Sequence, residues 1–276
     1  MSSEPAPTRI WQNLVDQVAF GPRFCGSPGH RRLQVWIDRR LRADARLDHR
    51  FTESFFGESV ECVNFVGRYE GQVPGRILLG THYDTRPWAD EDPDLKRRRD
   101  PVLGANDGAS GVALLMELAG WLLADRERPT VDLVFFDAED WHGIDGKQVS
   151  LGAERFAQVQ AQPDAVVVVD MIAAQNLSIN FDVSVVSHPP SLELTFALHR
   201  LGRALGLSAF SREPRLHQVT DDHLPFLTRG VPSCLLIDMD FPQWHTVSDT
   251  LEVCDARVVA EIGTLLMQFL KSGETG

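Results

Sequence analysis

The sequence is short of positive charge. In 276 residues, 27 Lys and Arg stand against 39 Asp and Glu, a formal net charge of −12. A surplus of this sign repels phosphate backbones, which argues against bulk nucleic-acid binding. There is no uninterrupted apolar run of about 18 residues, the length that marks a membrane-spanning helix. The most apolar segment, Val112 to Ala124, is broken by Glu117 and Gly120. The first residues, MSSEPAPTRIWQN, lack a basic region followed by an apolar core, so they do not read as a secretory signal. Cysteine is sparse as well: Cys25, Cys62, Cys234 and Cys254 form no C-x-x-C pair and no zinc-finger spacing. Four scattered cysteines read as reduced, buried thiols rather than a disulfide framework. Repeats and low-complexity segments are missing, and no large apolar seam suggests a subunit interface. These absences lead us to expect a cytoplasmic monomer with no nucleic-acid or membrane partner.

What is present is an ordinary folded composition, 43 % hydrophobic and 24 % charged. Helical periodicity covers residues 8–18 and 28–46. Residues 50–57 and 61–69 read as strands, and 76–82, RILLGTH, as a buried strand. A charge-mixed loop follows over 89–100, within a longer connection at 86–103. A helix is predicted over 108–124, a buried strand over 130–136, and a helix near 150–158. Residues 165–170, AVVVVD, form another buried strand, and 183–186 a weak one. Helices are predicted over 191–206, 221–228 and 255–271, with a strand over 232–237. Buried apolar strands alternating with helices indicate an α/β fold around a largely parallel sheet. No linker divides it, so residues 1–276 read as one domain.

In such sheets, sites form beyond the carboxyl ends of the strands. Here nearly every strand exit carries a histidine or a carboxylate. His82 and Asp84 follow the first buried strand, and Asp137, Glu139 and Asp140 the second. Asp170 ends the third, and His245 lies beyond the fourth. Asp107, in GANDGASG (104–111), stands at the mouth of a helix. Any one of these alone has an ordinary explanation. Asp107 could be a helix N-cap, the Glu139–Asp140 pair a solvated turn, and His82 a core residue. Asp170 is harder to explain, because a carboxylate following four valines must find a partner. Converging carboxylates and imidazoles suit Zn²⁺. Asp107, His245 and one acid of the 139–140 pair could supply three ligands, leaving the other acid as general base. His82 and Asp170 could complete a second metal site.

Seven segments occur in order: THYDT (81–85), GANDGASG (104–111), FFDAED (135–140), SLGAERF (150–156), VVVDM (167–171), DDHLPFLTRGVP (221–232) and WHTVSDTLE (244–252). Together they resemble the zinc aminopeptidase-like superfamily over roughly residues 22 to 270. The resemblance implies a single-domain three-layer α/β/α sandwich around a twisted, mostly parallel mixed sheet. The superfamily holds di-zinc exopeptidases and single-zinc glutaminyl-peptide cyclases. The 221–232 segment and the tryptophan directly before His245 are similar to the cyclases. Carried over position by position, the likeness implies that Asp107, Asp140 and His245 bind one zinc ion. Glu139 is then the general acid/base, hydrogen-bonded in a network with Asp170 and Asp221. Trp244 and Phe241 match aromatics that flank the substrate pocket.

Two departures stand out. Asp140 occupies a position usually held by glutamate, one methylene longer, which puts metal affinity in question. An indole-bearing position of several cyclases falls near Asp145, so the 141–149 loop does not transfer, and neither Trp141 nor Trp88 is assigned in its place. The expected reaction is conversion of N-terminal glutamine to pyroglutamate with loss of ammonia, acting on peptide or protein N-termini. In the alternative, two zinc ions, the second held by His82 and Asp170, serve hydrolysis of the N-terminal residue. A catalytically silent peptide-binding module would lack a base or a ligand, and neither is lacking.

Overall fold

Alternation along the strands divides the apolar residues between two faces of one sheet. Ile77, Leu79, Val131, Leu133, Phe135, Val167, Val169, Cys234 and Leu236 face one core. Leu78, Val134, Phe136, Val166, Val168, Leu235 and Ile237 face the other. Strands buried on both sides read as continuous apolar runs, which is why AVVVVD carries no polar residue before its last. In the computed structural model, which describes residues 4–272, the chain runs α1 (Pro7–Val18), α2 (Pro28–Arg40), β1 (Ala45–Arg46), β2 (His49–Phe55), β3 (Glu58–Tyr69) and β4 (Arg76–His82). It continues through α3 (Ala109–Ala124), β5 (Thr130–Phe136), α4 (Leu151–Val159), β6 (Ala165–Asp170) and β7 (Phe181–Asp182). Last come α5 (Pro189–Ala204), β8 (Leu216–His217), α6 (Leu224–Leu227), β9 (Ser233–Ile237) and α7 (Ala256–Ser272).

The sheet order is β1-β3-β5-β4-β6-β9, with β2 also paired to β3. β5, β4, β6 and β9 are parallel neighbours, while β3 runs antiparallel to β5. Helices α1, α2, α3, α5 and α7 contribute to the first core, and α4 and α6 to the second. The result is a three-layer α/β/α sandwich. α3 is apolar nearly all round because it packs on β4 and β5 and is covered in turn by α1 and α7. The parallel strands carry their carboxyl ends to one edge, and the strand-exit residues gather there.

Two local expectations fail. The helix predicted over 28–46 stops at Arg40, and Ala45–Arg46 form β1 against Arg68 and Gly67. Leu41 leaves the helix in an extended conformation and buries its side chain. Arg46 then folds back onto the carbonyls of Asp38 and Leu41, so tertiary pairing overrides local periodicity. Residues 183–187 form a 3₁₀ turn rather than a strand, because Asp182 accepts the Ser184 N–H at 3.1 Å and starts a turn there. All four cysteines are buried and unbridged.

Candidate active site

The exits of β4, β5, β6 and β9 and the start of α3 surround a cleft of about 260 Å³. Asp107, Glu139, Asp140, Asp170, Asp221, Trp244 and His245 all line it. Asp107 is the hinge of the arrangement. Its Oδ1 lies 3.2 Å from His82 Nε2 and its Oδ2 lies 3.6 Å from His245 Nε2. Asp107 does not cap α3; the cap position is Gly108, in the left-handed conformation with φ +59°. A Cβ on Gly108 would come within 2.8 Å of His82 Cε1, so glycine there admits the imidazole.

Two overlapping donor sets result. Asp107, Asp140 and His245 offer ligand atoms within 4.8 Å of one another, and so do His82, Asp107 and Asp170. In the first, His245 Nε2 sits 3.1 Å from Asp140 Oδ1. In the second, His82 Nε2 sits 3.1 Å from Asp170 Oδ1. Asp140 Oδ2 is buried and has no hydrogen-bond partner among the described residues. A buried carboxylate oxygen without a donor is costly, and a cation would satisfy it. The one-methylene deficit of Asp140 does not prevent its carboxylate from reaching His245.

Three residues beside these groups have positive φ without being glycine: Ala138 at +59°, Met171 at +48° and His245 at +52°. Such conformations persist only where surrounding bonds enforce them. Here those bonds are visible. Asp84 accepts the backbone N–H groups of Glu139 at 3.0 Å and Asp140 at 3.2 Å. Asp249 accepts those of Asn106 at 2.8 Å and Asp107 at 3.0 Å. Buried Arg23 donates to the carbonyls of Leu103 and Gly104 and places its charge behind this acidic wall. Arg86, in the 86–103 loop, donates to the carbonyls of Asp140 and His142 and to Asp90.

Glu139 and Asp140 occupy a tight turn and diverge. Asp140 points at His245, while Glu139 Oε1 accepts from Ser150 Oγ at 3.0 Å. Burial pushes the Glu139 carboxyl well above its usual range, and nearby Asp221 pushes it further. Asp221 and Asp170 are raised as well, chiefly by burial and then by neighbouring carboxylates, although His82 offsets part of this at Asp170. Burial would raise Asp140 too, but His245 and Arg86 bring it below the usual range. Trp244 is half-buried and stacks on His245, with ring centroids 4.0 Å apart and planes at 27°.

Phe241 stands elsewhere. It was expected to flank the pocket, but it is 4 % exposed and packs in the second core, bordering a neighbouring cavity instead of this cleft. Its ring is taken up by the second core, against which Trp244 also packs in part. Trp141 is buried against Phe55, and Trp88 packs on Phe56 and under Arg99, so neither lines the cleft. Sequence reasoning also missed the supports. Ser150 and Asp249 lay inside quoted segments without a role, and Asp84 was noted only as a strand-end acid. His223 binds Asp182 at 2.7 Å and so anchors the turn bearing Asp221 and Asp222. Short polar residues beside ligand-bearing segments were the available signal.

The profile of peptidase family M28 matches residues 64–270. The chain belongs to this family. Among relatives of the M28 chain is the glutaminyl-peptide cyclotransferase of Bothrops jararaca, 26 % identical over 98 % of this chain and 82 % of its own length. The solved structure of Tannerella forsythia glutaminyl cyclase superposes with a TM-score of 0.88 at 25 % identity, covering 97 % of this chain and 99 % of that one. A leucine aminopeptidase precursor from Bacteroides thetaiotaomicron superposes at 0.86 with 26 % identity, covering 97 % of each chain. Structures similar to this chain thus carry the names of both a glutaminyl cyclase and an aminopeptidase.

Proposed function

We propose that the protein is a zinc-dependent glutaminyl-peptide cyclotransferase acting on peptide or protein N-termini. The choice of reaction is carried by the alignment of almost the whole chain with a curated cyclotransferase. The residues fit a zinc site: two carboxylates and an imidazole, one carboxylate oxygen buried without a donor. Asp107, Asp140 and His245 would hold one ion. When bound, zinc supplies Lewis-acid polarisation of the substrate's side-chain carbonyl.

The chain's own residues supply the rest. Glu139 takes a proton from the substrate's α-amine through its carboxylate, freeing the nitrogen to bond to the side-chain amide carbon, Cδ. It returns that proton to the departing amide nitrogen as the C–N bond breaks, so one ammonia leaves and no water is consumed. Burial, and after it the charge of Asp221, raises the Glu139 carboxyl and so strengthens it as a proton acceptor. Ser150 fixes its orientation, and Trp244 covers the flat amide and excludes water.

A second reading has one specific observation in its favour: the His82–Asp107–Asp170 set could hold another ion beside the first. That reading makes the enzyme a di-zinc aminopeptidase. One experiment separates the two. Purified protein is loaded with zinc, its metal content measured, and a Gln-peptide assayed for ammonia and for free glutamine. About one zinc and ammonia alone supports the cyclase; two zinc ions with free glutamine overturn it.

A further inference from the structure

The cleft is deep at the acids and open at its rim, so a peptide whose first residue reaches Glu139 must leave past the rim. Four rim residues are exposed: Glu91, His142, Gln218 and Thr220. Among them only Glu91 is a carboxylate, and none is Lys or Arg. The remaining cation of the lining, Arg86, is buried and paired with Asp90.

Glu91 is held in place on both sides. Its own N–H donates to the carbonyl of His245 at 3.3 Å. Asp90 is clamped by Arg86 and lies 3.6 Å from His245 Nδ1. Asp92 is buried and accepts the Val247 N–H at 3.1 Å. The backbone at 91 is therefore fixed against the 245–247 segment, while the Glu91 carboxylate forms no ion pair or hydrogen bond among the described residues. Of the four cations farther along the same loop, Arg97 pairs with Asp100, Arg98 donates to the Asp92 carbonyl and Arg99 lies over Trp88, while the Lys96 ammonium has no ion pair or hydrogen bond among the described residues.

We propose that Glu91 is a specificity residue that makes the enzyme favour substrates whose second residue is lysine or arginine over those with an acidic second residue. This rests on the cyclase reading, in which the first residue fills the acidic floor and the second side chain emerges at the rim. With its backbone already fixed, Glu91 gives up only side-chain freedom on pairing, and its partner sits where solvent still screens it. An exposed pair of this kind gives a preference of about two- to fivefold.

The test uses zinc-loaded protein with C-terminally amidated Gln-Lys-Ala, Gln-Ala-Ala and Gln-Glu-Ala, following ammonia release. In the unmodified enzyme kcat/KM should fall in that order, with most of the difference in KM. The Lys/Glu ratio should drop towards one in Glu91→Gln, and should shrink in the unmodified enzyme as salt is raised from about 0.05 to 0.5 M. The salt series keeps the idea testable should the variant fail to fold. Equal rates on all three peptides, a ratio unchanged by Glu91→Gln whatever its response to salt, or, where the variant does not fold, a ratio unchanged by salt would overturn the role of Glu91 while leaving the cyclase reading intact. Ammonia from none of them would overturn both.

Discussion

Asp84 Oδ1 accepts the backbone N–H of Glu139 at 3.0 Å. Its second oxygen takes the N–H of Asp140, so one buried carboxylate holds both the base and a ligand in register. Asp84→Asn replaces one acceptor by an NH₂ group that faces an N–H. We expect zinc affinity and kcat/KM each to fall about 10- to 100-fold with the fold retained. Zinc titration and steady-state rates check this; full activity would show that the turn holds itself.

Glu139→Gln should abolish turnover while zinc stays bound. Loss of zinc in this variant would instead mean that Glu139 is the ligand and Asp140 the base. Ser150→Ala is the milder partner experiment. The Ser150 hydroxyl donates to the Glu139 carboxylate and so favours its charged form. Removing it should raise the Glu139 pKa further and move the acid limb of the kcat/KM profile to higher pH. An unshifted limb would argue against this bond in the working enzyme.

Metal content should separate the two donor sets. Asp140→Asn should lose the ion and with it the cyclisation. His82→Gln should keep about one zinc per chain if the single-ion reading holds, since His82 then lies outside the metal shell. If the unmodified protein binds two and this variant one, the aminopeptidase reading gains the ground.

Gly108→Ala tests the left-handed hinge before α3. The new Cβ would sit 2.8 Å from the His82 ring and 2.9 Å from the Asp84 carbonyl, at φ +59°. Strain and overpacking together should cost about 2–4 kcal/mol, read from denaturant melts. A cost below about 0.5 kcal/mol would show that the 104–108 loop can shift without penalty.

His199 offers a pH prediction away from the metal site. Burial lowers its pKa from 6.5 to about 4, with Arg203 adding to the effect. In the unfolded chain it protonates near 6.5, so between 6.5 and 4 the unfolded state binds the extra proton. Stability must therefore fall as pH drops through that window, by roughly 2–3 kcal/mol from this residue. His199→Phe, which keeps an aromatic ring near Phe181 and Phe210, should show a flatter decline. Parallel curves for the two proteins would refute it.

The elements that were legible are those whose pattern is complete within a few contiguous residues. The strands over 76–82, 130–136 and 165–170 coincide with their sequence readings, because burial on both faces favours mostly apolar runs, broken within 130–136 only by Asp132, which pairs with Arg68 and Arg76. Failures came where distant segments decide. Residues 45–46 leave their helix to pair with β3, and Phe241 turns into the core although its neighbours bracket the site. Neither outcome is encoded in local periodicity.

The sequence by itself determined which chemistry could exist here, since residue types at strand exits and their order along the chain require no coordinates to read. Zinc-suited donors, a spare carboxylate and an acid surplus concentrated in motifs were all visible. Tertiary structure alone decided how those groups divide their work. Asp107 bridges two donor sets, Glu139 turns to Ser150 while Asp140 turns to His245, and Asp84 and Asp249 fix the segments beneath them. The reason is physical. Sequence separation tells nothing about distance once β4 sits between β5 and β6, so a hydrogen bond between residues 107 and 249 exists only because the sheet order brings them together.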